Sequence, residues 1–462
     1  MRVVGGGLAG CEAAWQAARR GIAVTLWEMK PTRMSPAHQS EGLAELVCSN
    51  SLRASSTANA VGLLKEEMRR LDSLILEAAD ATAVPAGRAL AVDREAFSQR
   101  ISSALEAHPR IEIRRELVSE LPEDPLTIIA TGPLTAPELA RSLQSVLGEE
   151  YLYFYDAIAP TVYADSIDYD VVFRASRYEE GEGDYLNVPL DREQYQAFVA
   201  ALVSAETSPL HAFEKALYFE GCLPIEEIAR RGERTLAFGP LKPVGLEDPR
   251  TGRRPYAVVQ LRQEDKAGQL YNLVGCQTKL RIGDQQRVFR ALPGLGEAVF
   301  ARYGSVHRNT YVNAPKRLTP TLELRSRPGL YLAGQMAGVE GYVESAALGL
   351  IAGINASAAA HGEDPVAPPR ETAHGALLAH LMDSSPKHFQ PMNVNFGLFP
   401  PLEPGFFPPP EPGLFPRREP GIGPTPGRRR GKLAKRDKQE ALARRALAAI
   451  EGYAERVCAR VS

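Results

Sequence analysis

The chain has 462 residues, 44% of them apolar and 24% charged, and contains no uninterrupted run of the roughly 18 apolar residues that marks a membrane-crossing helix. This length gives room for two or three domains with cores of their own. A formal net charge of −2 excludes global attraction to a polyanion, so a nucleic-acid partner would have to be met by a local basic patch.

Met1 to Val4 reads as a strand that runs straight into Gly5-Gly6-Gly7-Leu8-Ala9-Gly10 and then a helical segment from Cys11. No secretory leader is expected, and the short strand leaves room for a few residues ahead of it. Gly5, Gly7 and Gly10 fit the dinucleotide fingerprint: a tight turn, a close approach of backbone to pyrophosphate, and close helix–strand packing. Ile22 to Trp27 reads as a second strand with Glu28 at its end, where a carboxylate would hold a ribose hydroxyl. Farther on, Asp93 is a predicted N-cap for a helix with Phe97, Ile101 and Leu105 on one face. An alternating strand, Arg110 to Arg114, follows. Leu126 to Ala130 then gives a strand entering a second glycine turn at Thr131-Gly132-Pro133.

From about Pro160 the texture changes. Residues 174–185 are charged and contain glycine, and Pro224, Pro240, Pro243, Pro249 and Pro255 break any βα rhythm. Residues 161–304 therefore read as an α+β domain inserted into a nucleotide-binding fold of residues 1–160 and 305–365. The return leads to a third turn, Gly334-Gln335 to Gly341-Tyr342, opening a helix rich in small residues. A late unit of this kind packs beside the first in two-dinucleotide flavoproteins, and its helix N-terminus can stabilise negative charge on a reduced ring. Bound FAD accounts for all three turns better than a single NAD site does. The fold class expected is α/β, a Rossmann-type FAD-binding domain with the α+β insertion.

Residues 366–396 form a C-terminal segment containing a short helix near Ala373. Residues 397–427 contain three tandem eight-residue repeats with Gly at the start and Pro at fixed places, which read as extended linker. Residues 428–462 form a basic tail and a helix with Leu442, Ala446, Ala449 and Tyr453 predicted on one face. The five cysteines, Cys11, Cys48, Cys222, Cys276 and Cys458, show no Cys-x-x-Cys pair or zinc spacing. They read as reduced thiols in a cytoplasm, with no metal site.

Four segments together resemble a known family: Gly5 to Ala14, Glu45-Leu-Val-Cys48-Ser-Asn-Ser51-Leu-Arg, Phe219-Glu-Gly-Cys222-Leu-Pro-Ile-Glu-Glu, and Gly334-Gln-Met-Ala-Gly-Val-Glu-Gly-Tyr-Val-Glu-Ser. They are similar to the TrmFO family of folate- and FAD-dependent tRNA uracil methyltransferases, smaller relatives of the GidA (MnmG) flavoproteins. The resemblance covers nearly the whole chain, including Met392 to Gly397 and the basic tail; the octad repeats depart from it. It implies methylation of carbon 5 of the T-loop uridine at tRNA position 54. Methylenetetrahydrofolate would be the one-carbon donor, FAD the bound cofactor, and NAD(P)H the reductant.

Such chemistry needs a thiolate to activate uracil and a second group to remove the carbon 5 proton. Cys222, which follows Gly221, is the first choice for nucleophile. Cys48 is the base, relay or transient flavin partner, and the division between them stays open. Gly5 to Gly10, Glu28, Thr131, Gly132, Gly334, Gln335, Gly341 and Tyr342 are expected around FAD, and His307 and Tyr342 beside folate. Lys279, Arg281, Arg287, Arg290 and Arg428, Arg429 and Arg430 are candidate tRNA contacts. No membrane or obligate protein partner is evident. Two other readings are carried forward: a different FAD enzyme, of GidA type or an NAD(P)H-dependent oxidoreductase, and a flavin-binding tRNA chaperone.

Overall fold

The computed structural model describes residues 1–35, 37–123, 126–147, 151–178, 183–208, 223–387, 389–402 and 428–458. Its centre is a five-stranded parallel sheet in the order Leu330–Leu332, Thr127–Ile129, Arg2–Val4, Val24–Trp27, Ile111–Arg114. Val3 sits opposite both Leu26 and Ile128, so the first strand is central. Central strands are covered on both faces and are correspondingly apolar, whereas Ile111–Arg114 at the edge alternates half-buried and exposed positions. This is the expected Rossmann-type arrangement.

The helices Leu8–Arg19 and Tyr342–Ala360 pack against each other and against the parallel sheet. Glycine makes that contact possible, because a Cβ at Gly349 would overlap the Ala9 carbonyl and one at Gly353 would crowd Ala13. Tyr342–Ala360 is long and apolar enough to cross a membrane, but 89% of its apolar window lies inside this core. The Asp93 cap forms as predicted, accepting the Ala96 N–H at 3.0 Å, and Phe97, Ile101 and Leu105 are fully buried.

A second core belongs to residues between Val162 and Ala298. It lies on a six-stranded antiparallel sheet ordered Phe173–Arg174, Tyr185–Leu190, Ala257–Gln263, Leu270–Val274, Thr161–Tyr163, Phe300–Arg302. The chain enters and leaves this unit along one antiparallel pair, Tyr151–Ala157 with Val306–Val312. Polar ties then fasten it to the first domain. Asn50 Nδ2 donates to the carbonyls of Val92 (2.9 Å) and Gln263 (3.0 Å), and Arg262 donates to Asn50 Oδ1 (2.8 Å) and Ser49 Oγ (2.7 Å).

The tail helix Arg428–Cys458 returns to the first core, where Leu442, Ala446, Ile450, Tyr453 and Val457 are buried. Ile450 takes the place expected of Ala449, which is only half-buried: the stripe follows the bulkier side chain. Tyr453 Oη donates to the Val366 carbonyl at 3.1 Å and Arg70 to the Leu447 carbonyl at 3.1 Å. Most of the octad repeats, residues 403–420, lie outside the described residues.

Candidate functional site

A cleft with about 1040 Å³ of free space opens at the C-terminal ends of the central parallel strands, the place where open α/β sheets bind ligands. Its wall includes Gly5 to Ala9, Glu28, Thr131, Gly132, Gly334, Gln335 and Tyr342. Gly10 and Gly341 stand just behind it. Gly10 lies so close under the Gly5 carbonyl that any Cβ would overlap it, and Gly5 itself has φ +106°. A Cβ on Gly7 would instead meet nothing within 4 Å. The helix Leu8–Arg19 starts there without a side-chain cap. Free backbone donors, a helix N-terminus and open space fit a pyrophosphate. Glu28 is buried, and its carboxylate accepts the N–H groups of Gly6 (2.7 Å) and Lys30 (2.9 Å), which set it at the strand end where a ribose would lie. These residues fit a dinucleotide such as FAD.

The other end of the cleft is built differently. Gly341 (φ +109°) caps Tyr342–Ala360, so Tyr342 is the first helical residue. Its hydroxyl accepts the Cys48 N–H at 2.7 Å and the Ser49 N–H at 3.4 Å, and lies 2.8 Å from Cys48 Sγ. Burial, then the neighbouring Cys48, push the phenol well above its ordinary pKa. Two residues on, in the same first turn, the fully buried Glu344 carboxylate receives the Arg53 guanidinium and the Val394 N–H (2.9 Å). Lys65 Nζ donates to the carbonyls of Leu52 (2.9 Å) and Arg53 (3.1 Å), and burial pulls this ammonium down to about 7. Asn393 Nδ2 donates to the Glu340 carbonyl at 2.8 Å, so the C-terminal segment closes the outside of the same loop. The Cys48–Arg53 segment is thus held from the helix, from the strand behind it and, through Asn50 and Ser49, from the six-stranded antiparallel sheet.

The remaining predicted residues fall in several places. Cys222 lies outside the described residues. His307 is on the connecting strand Val306–Val312, opposite Asp156. Lys279 is largely buried, with its ammonium 2.6 Å from Glu227. Arg281 pairs with Glu206 and Arg287 with Asp284, both at 2.6 Å, and Arg290 Nε donates to the Ala298 carbonyl at 3.0 Å. Arg428, Arg429 and Arg430 open the tail helix. Cys11 and Cys276 are fully buried, which pushes both thiols far up and suits them to packing.

Sequence reasoning missed Arg94, Arg302, His38 and Glu45, which gather around the Cys48 end. Arg94 donates to the Leu46 carbonyl and pairs with Glu264 at 2.6 Å, and Arg302 donates to the Ala37 carbonyl at 3.3 Å. His38 and Glu45 line the cleft, and burial holds His38 below its ordinary pKa. Single residues on separate elements leave no spacing signal.

Comparison with known proteins places this geometry. The family model described as Glucose inhibited division protein A (GIDA) matches residues 1–364. A Moorella thermoacetica protein named methylenetetrahydrofolate–tRNA-(uracil-5-)-methyltransferase TrmFO is 61% identical over 401 residues, covering 87% of this chain and 92% of that one. A Geobacter sulfurreducens protein of the same name is 57% identical over 454 residues, 98% of each chain. Among solved structures, Aquifex aeolicus GidA in its form I crystal aligns with a TM-score of 0.62 at 18% identity, over 82% of this chain and 69% of that one. That likeness carries the fold.

Proposed function

The chain belongs to the GidA family and groups with its TrmFO members, and from that premise we propose that it methylates carbon 5 of the T-loop uridine, position 54 of tRNA, to give ribothymidine. It is a methylenetetrahydrofolate–tRNA-(uracil-5-)-methyltransferase with FAD as cofactor. FAD, when bound, supplies reducing power for the transferred carbon, and NAD(P)H is the co-substrate we assign to recharge it. Gly5 to Ala9 and Glu28 would hold the dinucleotide, with Gly334, Gln335 and Tyr342 toward the reacting end.

Uracil carbon 5 is a poor nucleophile until a thiolate adds to carbon 6 and generates an enolate. We assign that addition to Cys222. Carbon 5 then attacks the one-carbon unit, and its proton must leave so that the electron pair can expel the cysteine from carbon 6. We assign the proton to Cys48. The observation that carries this reading is the seating of Cys48: a half-buried thiol 2.8 Å from the hydroxyl of Tyr342, which opens a 19-residue helix and stands on the wall of the dinucleotide cleft. A hydroxyl donor at the sulfur favours thiolate. His307 and Tyr342 are the proposed pterin neighbours, and Arg281, Arg287 and the tail arginines the proposed phosphate contacts. The reaction belongs to the cytoplasm, where its tRNA, folate and reduced thiols coexist.

The test is incubation of the holoenzyme with unmodified tRNA, methylenetetrahydrofolate and NAD(P)H, followed by nucleoside analysis. Folate-dependent ribothymidine is the expected product. Flavin reduction without it would favour a different FAD enzyme, and tRNA binding alone a chaperone.

A further inference from the structure

We propose that Tyr342 is a positioning residue that acts through Cys48: its hydroxyl donates to the Cys48 sulfur and holds it as a thiolate. Donors and acceptors around the phenol oxygen set the direction of that bond. A phenol oxygen has one proton to give and two lone pairs to accept with. The N–H groups of Cys48 (2.7 Å) and Ser49 (3.4 Å) point at those lone pairs. The proton is then left to face the third neighbour, Cys48 Sγ at 2.8 Å. A neutral thiol is a weak acceptor, while a thiolate is a strong one, so this donation stabilises the charged sulfur. Burial keeps the proton on the phenol, because a buried phenolate is far costlier than a buried phenol.

The backbone adds to the effect. The two backbone donors also hold the hydroxyl in place, since moving it would leave these half-buried N–H groups without this acceptor. Other charged groups facing the pair are Arg94, from the helix Arg94–Glu106, and Arg302, from the strand Phe300–Arg302, while Glu45 and His38 line the cleft beside Tyr342. All four are kept in the variants below, so a shift reads Tyr342 alone.

The inference rests on the reading of Cys48 as a proton-handling thiolate, and its test is separate from methylation. The pH dependence of Cys48 alkylation by iodoacetamide is followed on the holoenzyme by mass spectrometry of the peptide carrying that residue. Tyr342→Phe keeps the ring and removes the proton. Its alkylation midpoint should rise by about one pH unit, a tenfold loss of thiolate below the midpoint. Its kcat should fall while KM for tRNA stays put. Replacing Tyr342 with 3,5-difluorotyrosine strengthens the donor and should lower the midpoint; this variant decides alone if the phenylalanine variant loses FAD or fails to fold. An unchanged midpoint in both overturns the pairing even if methylation persists. A shifted midpoint in an enzyme that makes no ribothymidine supports the pairing and counts against the methylation reading.

Discussion

The first and last glycine turns of the nucleotide-binding fold have the same backbone plan, strand into glycine into helix, and opposite contents. At Gly5–Gly10 the helix starts with no side-chain cap and with empty space in front of Gly7. At Gly334–Gly341 the helix starts with an aromatic residue whose hydroxyl meets Cys48, and the same first turn carries a buried carboxylate with a guanidinium. One turn is built to receive an anion by offering only main chain. The other uses the same positive helix end to hold side chains of the protein itself. Two turns with one backbone motif therefore serve different purposes, and the groups standing in front of each helix set which.

The sharpest way to break that contrast is to remove chemistry from the second turn's partners and leave the first intact. Cys48→Ala should bind FAD and tRNA yet make no ribothymidine, and Cys222→Ala should lose both product and the covalent adduct expected with 5-fluorouridine tRNA. Denaturing gels and nucleoside analysis read both. An adduct from Cys222→Ala with none from Cys48→Ala would exchange their roles.

Within the first turn, Gly7 and Gly10 should part company. Gly10→Val collides with the Gly5 carbonyl and should cost about 3 kcal/mol in apoprotein stability as well as FAD. Gly7→Val has space around it, so the apoprotein should melt within a few degrees of the parent and bind little flavin. Equal melting losses in the two variants would show that Gly7 also serves packing.

In the second turn, Glu344→Ala removes the buried partner of Arg53 and the acceptor of the Val394 N–H. Chemical denaturation should show a loss of about 2–3 kcal/mol, with FAD retained at the first turn. Loss of FAD in proportion to stability would mean the two turns act as one unit.

Regions outside both turns should matter less. Neutralising Arg428, Arg429 and Arg430 together should flatten the dependence of log K on log salt for tRNA binding by up to about 3 units. An unchanged slope would move attention to Arg281 and Arg287. Smallest of all, deleting two of the octad repeats should alter the melting temperature and methylation little, because halving a loop changes closure entropy by only about 0.6 kcal/mol.

The sequence by itself determined the nucleotide-binding half. Glycines at 5, 7 and 10, an apolar strand on each side and Glu28 at a strand end are local signals, since each turn's geometry is dictated by residues a few positions apart. The Asp93 cap and its Phe97–Leu105 stripe are legible for the same reason. Cys48 and Tyr342 can each be picked out, but nothing in the chain says that a hydroxyl 294 residues away meets the sulfur. Nor does it say that Arg262 of the inserted domain ties down Asn50 and Ser49 beside it. Lys279 reads as a cation available to phosphate, and only the fold shows it buried against Glu227. Leu442, Ala446 and Tyr453 of the tail stripe are buried as expected, and only Ala449 gives way to its neighbour Ile450, because the facing groove takes the larger side chain. Periodicity and turn chemistry are short-range and survive in the sequence; partnership between distant side chains is set by how the sheet, the insertion and the helix ends pack, and that is decided only when the chain has folded.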